Sequence, residues 1–122
     1  MEVHLTDVTA ALLRLRAPFC PGEYDLHALA AQTLSDAGIS IRHEVRLAPR
    51  CRIDLMAGTV GIEIKRGRPD CRRLVSQLQR YAACDEISAL VLLVERKADL
   101  PASICGKPCV SLSVNKLWGI AL

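Results

Sequence analysis

The stretch CRIDLMAGTVGIEIK, residues 51–65, decides the fold. Two short apolar runs, Cys51 to Met56 and Val60 to Lys65, are separated by Ala57-Gly58-Thr59. A glycine followed by a small polar residue suits a two-residue type II′ hairpin turn, here Gly58-Thr59. That turn sets Ala57 against Val60, Met56 against Gly61, Leu55 against Ile62 and Asp54 against Glu63. Side chains alternate across a sheet, so Ile53, Leu55, Ile62 and Ile64 are expected on one face and Asp54, Glu63 and Lys65 on the other. A three-residue loop would break this sorting of apolar from charged residues, which favours the shorter one.

Working outward, Ile39, Ile41, His43, Val45 and Leu47 alternate with more polar neighbours and read as a strand ending at Pro49. Before it, Leu26, Ala30, Thr33, Leu34 and Ala37 recur at helical spacing over Glu23 to Ala37, with Gly38 as the C-cap. The segment Val8 to Leu15 reads as a first short helix, closed by the punctuated loop Ala17 to Gly22. On the other side, Cys71, Leu74, Val75, Leu78 and Ala82 form an apolar helical stripe after Gly67-Arg68-Pro69. Ser88 to Val94 is a continuous apolar run typical of a strand buried on both faces. A last strand is expected over Cys109 to Val114, followed by a tail containing Trp118. The order is helix, three-strand meander, helix, strand and a further strand, which predicts an α/β fold whose mixed central sheet is flanked by helices.

At 122 residues the chain suits one domain with a modest core. Apolar residues make up 51% and charged residues 24%, which argues against disorder. Aromatics are only 3%, so nucleic-acid contact cannot rest mainly on stacking. The net charge is +3, and 12 of the 16 basic residues are arginine, the side chain that best matches phosphate. They cluster as Arg42, Arg46, Arg50 and Arg52, then as Lys65, Arg66, Arg68, Arg72 and Arg73. A charge run is as easily a solvated face as a binding surface. No stretch is long and apolar enough to span a membrane, and the N-terminus lacks a signal-peptide pattern, so a cytoplasmic protein with no membrane partner is expected. The six cysteines form no CxxC pair and are read as reduced, half-buried small hydrophobes rather than a disulfide framework or zinc site.

Two carboxylates facing each other across a strand pair repel, at a cost of up to about 1 kcal/mol. A divalent cation removes that repulsion, and hard oxygen ligands with open positions for water and phosphate suit Mg²⁺. Lys65, two residues beyond Glu63, would sit at the edge of such a site, where an ammonium can polarise water and offset charge on a phosphorane. The alternative is a surface hairpin with a Glu–Lys pair and an unrelated Asp.

Arg52-Ile53-Asp54-Leu55 followed by Gly61-Ile62-Glu63-Ile64-Lys65 resembles the signature of the PD-(D/E)XK nuclease superfamily, with Ile53 where the motif's name has proline. The resemblance implies a restriction-endonuclease-like α-β-β-β-α-β core over roughly Glu23 to Val94. It also implies a metal held by Asp54, Glu63 and the Ile64 carbonyl. In Holliday junction resolvase-like members a glutamate on the first core helix completes that set. Glu23, on the inward stripe of its helix, is the candidate, unless it merely complements the helix dipole; Glu44 is the second candidate. RecB-like members carry Gln-x-x-x-Tyr on the next helix, which Gln77 and Tyr81 match. Gln77 is then expected to bond the lysine, a phosphate or a metal-associated water, and Tyr81 to touch the nucleic-acid backbone. Arg66, Arg68, Arg72, Arg73 and Arg80 would form a basic wall that positions phosphates without reading bases.

These features together describe a Mg²⁺- or Mn²⁺-dependent DNA nuclease with Asp54, Glu63, Lys65 and Gln77 as catalytic residues, endonucleolytic action being preferred. The competing readings are a catalytically silent nucleic-acid-binding module and an adaptor subunit on the same fold. Specific DNA interfaces bury about 1,000–2,500 Å², so a homodimer or a larger nucleic-acid-processing complex is expected to supply surface that so short a chain lacks.

Overall fold

The computed structural model describes residues 2–16, 25–96 and 98–114. Among them lie three helices, α1 (Leu5–Leu12), α2 (Leu26–Asp36) and α3 (Cys71–Ala82), and six strands. The strands are β1 (Arg42–Ala48), β2 (Cys51–Ala57), β3 (Val60–Lys65), β4 (Ala89–Val94), β5 (Ser103–Ile104) and β6 (Lys107–Ser113). The chain is therefore mixed α/β. Its sheet runs in the order β1-β2-β3-β4-β6-β5, with β3–β4 and β4–β6 parallel and the other pairs antiparallel.

Local chemistry accounts for the helix ends. Asp25 caps α2 by accepting from the His27 and Ala28 N–H groups, and Asp70 caps α3 from Arg72 and Arg73. At the far end of α2, Gly38 has φ of +81°, and the Ile39 N–H returns to the Leu34 carbonyl at 3.1 Å, so the glycine closes a Schellman motif. Gly38 ends the helix as expected, one residue past the C-cap Ala37. The helix starts at Leu26 rather than Glu23, and Glu23, like Trp118, lies outside the described residues.

The sheet separates two apolar layers. On one face α1 and α2 pack Val8, Leu12, Leu26, Ala30 and Leu34, with Leu15 just after α1, against Leu55, Ile62, Val91 and Leu93. On the other face α3 packs Leu74, Leu78, Tyr81 and Ala82 against Ile53, Met56, Leu90 and Leu92. All six residues of β4 are buried, as an apolar run covered on both faces requires. The short β5, which pairs only with β6, has no signal in the sequence beyond the turn residues around Gly106.

The hairpin turn is the two-residue one: Ala57 pairs with Val60, Met56 with Gly61 and Leu55 with Ile62. Gly58 has φ of +61° and Thr59 is not among the residues with positive φ, the sign pattern of a type II′ turn. The expected face assignment needs one correction. Leu55, Ile62 and Ile64 face the α1/α2 layer, but Ile53 faces α3. The preceding strand behaves likewise: Ile41, just before β1, packs toward α1/α2, and Val45, within it, toward α3. Both strands thus change face between the His43–Leu55 and Val45–Ile53 pairs, at Glu44 and Asp54. Glu44 there has φ of +48°, a left-handed conformation that costs about 1–2 kcal/mol for a residue other than glycine. A backbone reversal of this kind breaks strict alternation, and no pattern of apolar residues announces it.

Candidate functional site

Gly61 admits α3 to the sheet. A Cβ at this position would lie 2.5 Å from Ile53 Cδ1, 2.8 Å from Ile87 Cδ1 and 3.1 Å from Leu90 Cδ2. The absence of a side chain lets Ile53 cross over β3 beneath the helix. Two residues on, Glu63 projects toward α3 and is 3% exposed, the sole buried charged residue among those described.

Backbone pairing of β2 with β3 stops at Leu55–Ile62, and beyond it side chains take over. The Ile64 N–H donates to Asp54 Oδ2 at 2.8 Å, and the Asp54 N–H donates to Glu63 Oε1 at 3.2 Å. Each carboxylate therefore satisfies a backbone donor on the other strand. In an extended strand a residue's N–H and C=O point to the same edge. The Ile64 carbonyl is therefore directed to the side of Asp54, where no ladder partner follows.

The other oxygen of Glu63 is held from α3 and from β3. Tyr81 Oη lies 3.0 Å from Glu63 Oε2 and 2.8 Å from the Arg52 carbonyl, so its single proton serves one acceptor at a time. Gln77 Nε2 donates to Tyr81 Oη at 2.8 Å, across one helical turn. Lys65 Nζ stands 3.4 Å from Glu63 Oε2. Burial, and then the charge of Asp54, push Glu63 from its ordinary 4.5 up to about 7, with Lys65 and the Tyr81 hydroxyl opposing. Burial and the Glu63 charge push the Tyr81 hydroxyl far up, so it stays a neutral donor. A carboxyl poised between its charged and neutral forms near neutrality is held ready for a positive partner.

Asp54, Glu63 and Lys65 are thus brought together at one end of the β2–β3 pair, with the Ile64 backbone beside them. Gln77 joins them through Tyr81. Tyr81, expected to touch a nucleic-acid backbone, is 2% exposed and spends its hydroxyl inside the protein, so it positions Glu63 instead. Glu44 sits opposite Asp54 by register, but it is exposed, and among the described residues no third acidic, histidine or cysteine side chain forms a metal-sized group with the two carboxylates.

Two clefts flank this centre. The first, of about 520 Å³, is lined by Lys65, Arg72, Arg73, Ser76, Gln77 and Arg80. The second, of about 400 Å³, is lined by Arg46, Arg50, Cys51, Arg52, Gln77, Arg80 and Tyr81. Arg72, Arg73 and Arg80 of the expected basic wall are therefore together. Arg66 and Arg68 line neither cleft: the Arg66 guanidinium lies 3.7 Å from Glu95, whose carboxylate also accepts from the Gly67 N–H. Residues absent from the expected site are Arg46, Arg50 and Arg52. Their clustering is visible in the sequence, but only the β1–β2 turn folds them against α3. No helix among the described residues is long and apolar enough to cross a membrane. No known family, curated protein or solved structure matches this chain.

Proposed function

We propose that this chain is a divalent-metal-dependent nuclease of the PD-(D/E)XK kind, hydrolysing phosphodiester bonds of DNA, with endonucleolytic cleavage the preferred mode. One observation carries the reading: Glu63 is buried, pushed up to about 7 by burial and Asp54, and lies 3.4 Å from Lys65 between two arginine-lined clefts. The element order α2-β1-β2-β3-α3-β4 agrees with the core of that superfamily.

The donors fit a hard cation. Asp54 and Glu63 each use one oxygen on a backbone N–H, Glu63 Oε2 is shared with Tyr81 and Lys65, and the Ile64 carbonyl faces the same edge. Mg²⁺ is commonly bound through one or two carboxylates while keeping several waters, so two acids and a carbonyl suffice, and Mn²⁺ accepts the same oxygen donors. Glu23 stays a candidate for a further ligand. When bound, the cation would neutralise the carboxylate pair, polarise the phosphoryl group and make water a better nucleophile. Lys65 orients the attacking water and offsets the negative charge that builds on the phosphorane. Gln77 and Tyr81 fix the direction of the Glu63 carboxylate. Arg72, Arg73 and Arg80 hold the strand by its phosphates. A homodimer or a larger nucleic-acid-processing assembly would widen the grip on a duplex.

The test is a cleavage panel of supercoiled, linear, single-stranded and branched DNA with Mg²⁺ or Mn²⁺. Cleavage is expected to fall by about a hundredfold or more in Lys65→Ala, in line with the loss of a charge-stabilising donor. Wild-type protein that leaves every form uncut with both metals refutes the proposal. A second reading, a catalytically silent DNA-binding subunit, is favoured by the arginines themselves. Among the described residues none of those lining the two clefts pairs with a carboxylate. Salt-dependent DNA binding without measurable uptake of a divalent ion would select it.

A further inference from the structure

The two clefts are not independent. They share Gln77 and Arg80 as a common wall, and Glu63 lies between their other walls: Lys65 lines the first and Tyr81 the second. A phosphate bound in either cleft would therefore lie one side chain away from the Glu63 carboxylate, beyond Lys65 in the first and beyond Tyr81 in the second. Arg46, Arg50 and Arg52 of the second cleft are the residues the nuclease reading leaves without a role.

Its composition is specific. Four of its seven lining residues are arginines, all exposed and without a carboxylate partner among the described residues. Unpaired guanidiniums around one cavity repel one another, and the arrangement is relieved only by an anion or by solvent ions. The cavity wall is not otherwise charged. Burial pushes the Cys51 thiol up, keeping it neutral, and the Tyr81 hydroxyl is spent on Glu63 and the Arg52 carbonyl. The backbone is also shaped for the task. Arg50 has φ of +58° at the β1–β2 turn, and the Arg52 carbonyl is tied to Tyr81 at 2.8 Å. The Arg52 backbone at the cleft is thus tied to the hydroxyl that holds Glu63.

We infer that the cleft of Arg46, Arg50, Arg52 and Arg80 is a second phosphate-binding pocket, holding the phosphate group next to the one that is cleaved. This deepens the nuclease reading and rests on it for the word "next". The binding itself needs neither metal nor turnover. The phosphate is either an internal phosphodiester of the strand or a phosphate at its end. Both offer at least two non-bridging oxygens to a guanidinium fork.

The experiment measures binding in EDTA by fluorescence anisotropy, using an internally labelled single strand of about a dozen nucleotides, a length within the reach of a small domain. Three forms of it are compared: hydroxyl at both ends, 5′-phosphate and 3′-phosphate. The proteins are wild type, the Arg46→Gln/Arg50→Gln/Arg52→Gln variant, and Arg50→Gly, which removes one guanidinium while relieving the left-handed backbone. Arg72→Gln/Arg73→Gln serves as the first-cleft control. The triple variant is expected to bind at least about tenfold more weakly, with the salt slope shallower by about 0.7 for each phosphate that is no longer neutralised. Arg50→Gly should move the same way by a smaller factor. An equal loss on all three strands identifies an internal phosphodiester, and a loss confined to one phosphorylated strand identifies a terminal phosphate. Both outcomes support the pocket. Unchanged affinity and slope in the triple variant and in Arg50→Gly, with the first-cleft control weakened, overturn it and leave the nuclease reading intact. Loss of binding in the triple variant combined with no cleavage by wild type upholds the pocket and removes the nuclease.

Discussion

Replacing Glu63 by glutamine tests the central feature of the site without touching its shape. Glutamine keeps an oxygen for the Asp54 N–H, 3.2 Å away, and a polar group for Tyr81, 3.0 Å away, but it cannot ionise. In the wild type the folded carboxyl titrates at about 7 against an ordinary 4.5. The sign follows from proton counting. Between those two values the folded state holds a proton that the unfolded chain has released, so stability falls as pH rises. The contribution is complete below 4.5, is lost as pH rises through about 7, and is level above that. At about 1.4 kcal/mol per pH unit, the interval corresponds to about 3 kcal/mol. Urea unfolding of both proteins in EDTA, at steps from about pH 4.5 to about pH 8, should show Glu63→Gln gaining about 3 kcal/mol on wild type across the range. Millimolar Mg²⁺ should return much of that to wild type near pH 8 and nothing to the variant, because a ligand that binds only the folded state stabilises it. A difference between the two proteins that stays constant with pH refutes a strained, near-neutral Glu63 and with it the case for a cation.

Three further outcomes are expected. Tyr81→Phe removes the hydroxyl that holds Glu63 and leaves the Gln77 amide and the Arg52 carbonyl short of a partner, costing about 1–3 kcal/mol in unfolding experiments. Because that hydroxyl opposes the upward push on Glu63, the fall in apo stability should also move to higher pH. Gly61→Ala drives a methyl group into buried Ile53, Ile87 and Leu90 and should cost about 1–3 kcal/mol, read as a lowered denaturant midpoint. Glu44→Gly should be neutral or stabilising by up to about 1 kcal/mol, since relief of the left-handed backbone offsets the added freedom of the unfolded chain. Glu44→Val at the same place should destabilise.

The sequence by itself determined whatever depends on neighbours along the chain. The Gly58-Thr59 turn sets the β2–β3 register because a two-residue loop leaves only one pairing. The Gly38 terminator and the fully buried β4 follow from short-range hydrogen bonding and apolar runs, and so do the Asp25 and Asp70 caps, although apolar spacing alone began α2 at Glu23. Asp54, Glu63 and Lys65 were legible as a group for the same reason. What the tertiary structure alone decided depends on residues far apart in the chain. The change of face at Glu44 and Asp54 is a backbone event that moves Ile53 to the α3 side, so strict alternation placed it wrongly. The burial of Glu63 arises from α3 lying over a sheet cleared by Gly61, and that burial, rather than the repulsion from Asp54, is the leading cause of its upward push. Tyr81 became an internal hydroxyl because helix and strand meet there, 18 residues from Glu63. Arg66, an undistinguished member of a basic run, was drawn to Glu95, while Arg46, Arg50 and Arg52 were gathered into a cleft. A charge run reveals how many arginines there are, and only packing decides which of them lack a partner.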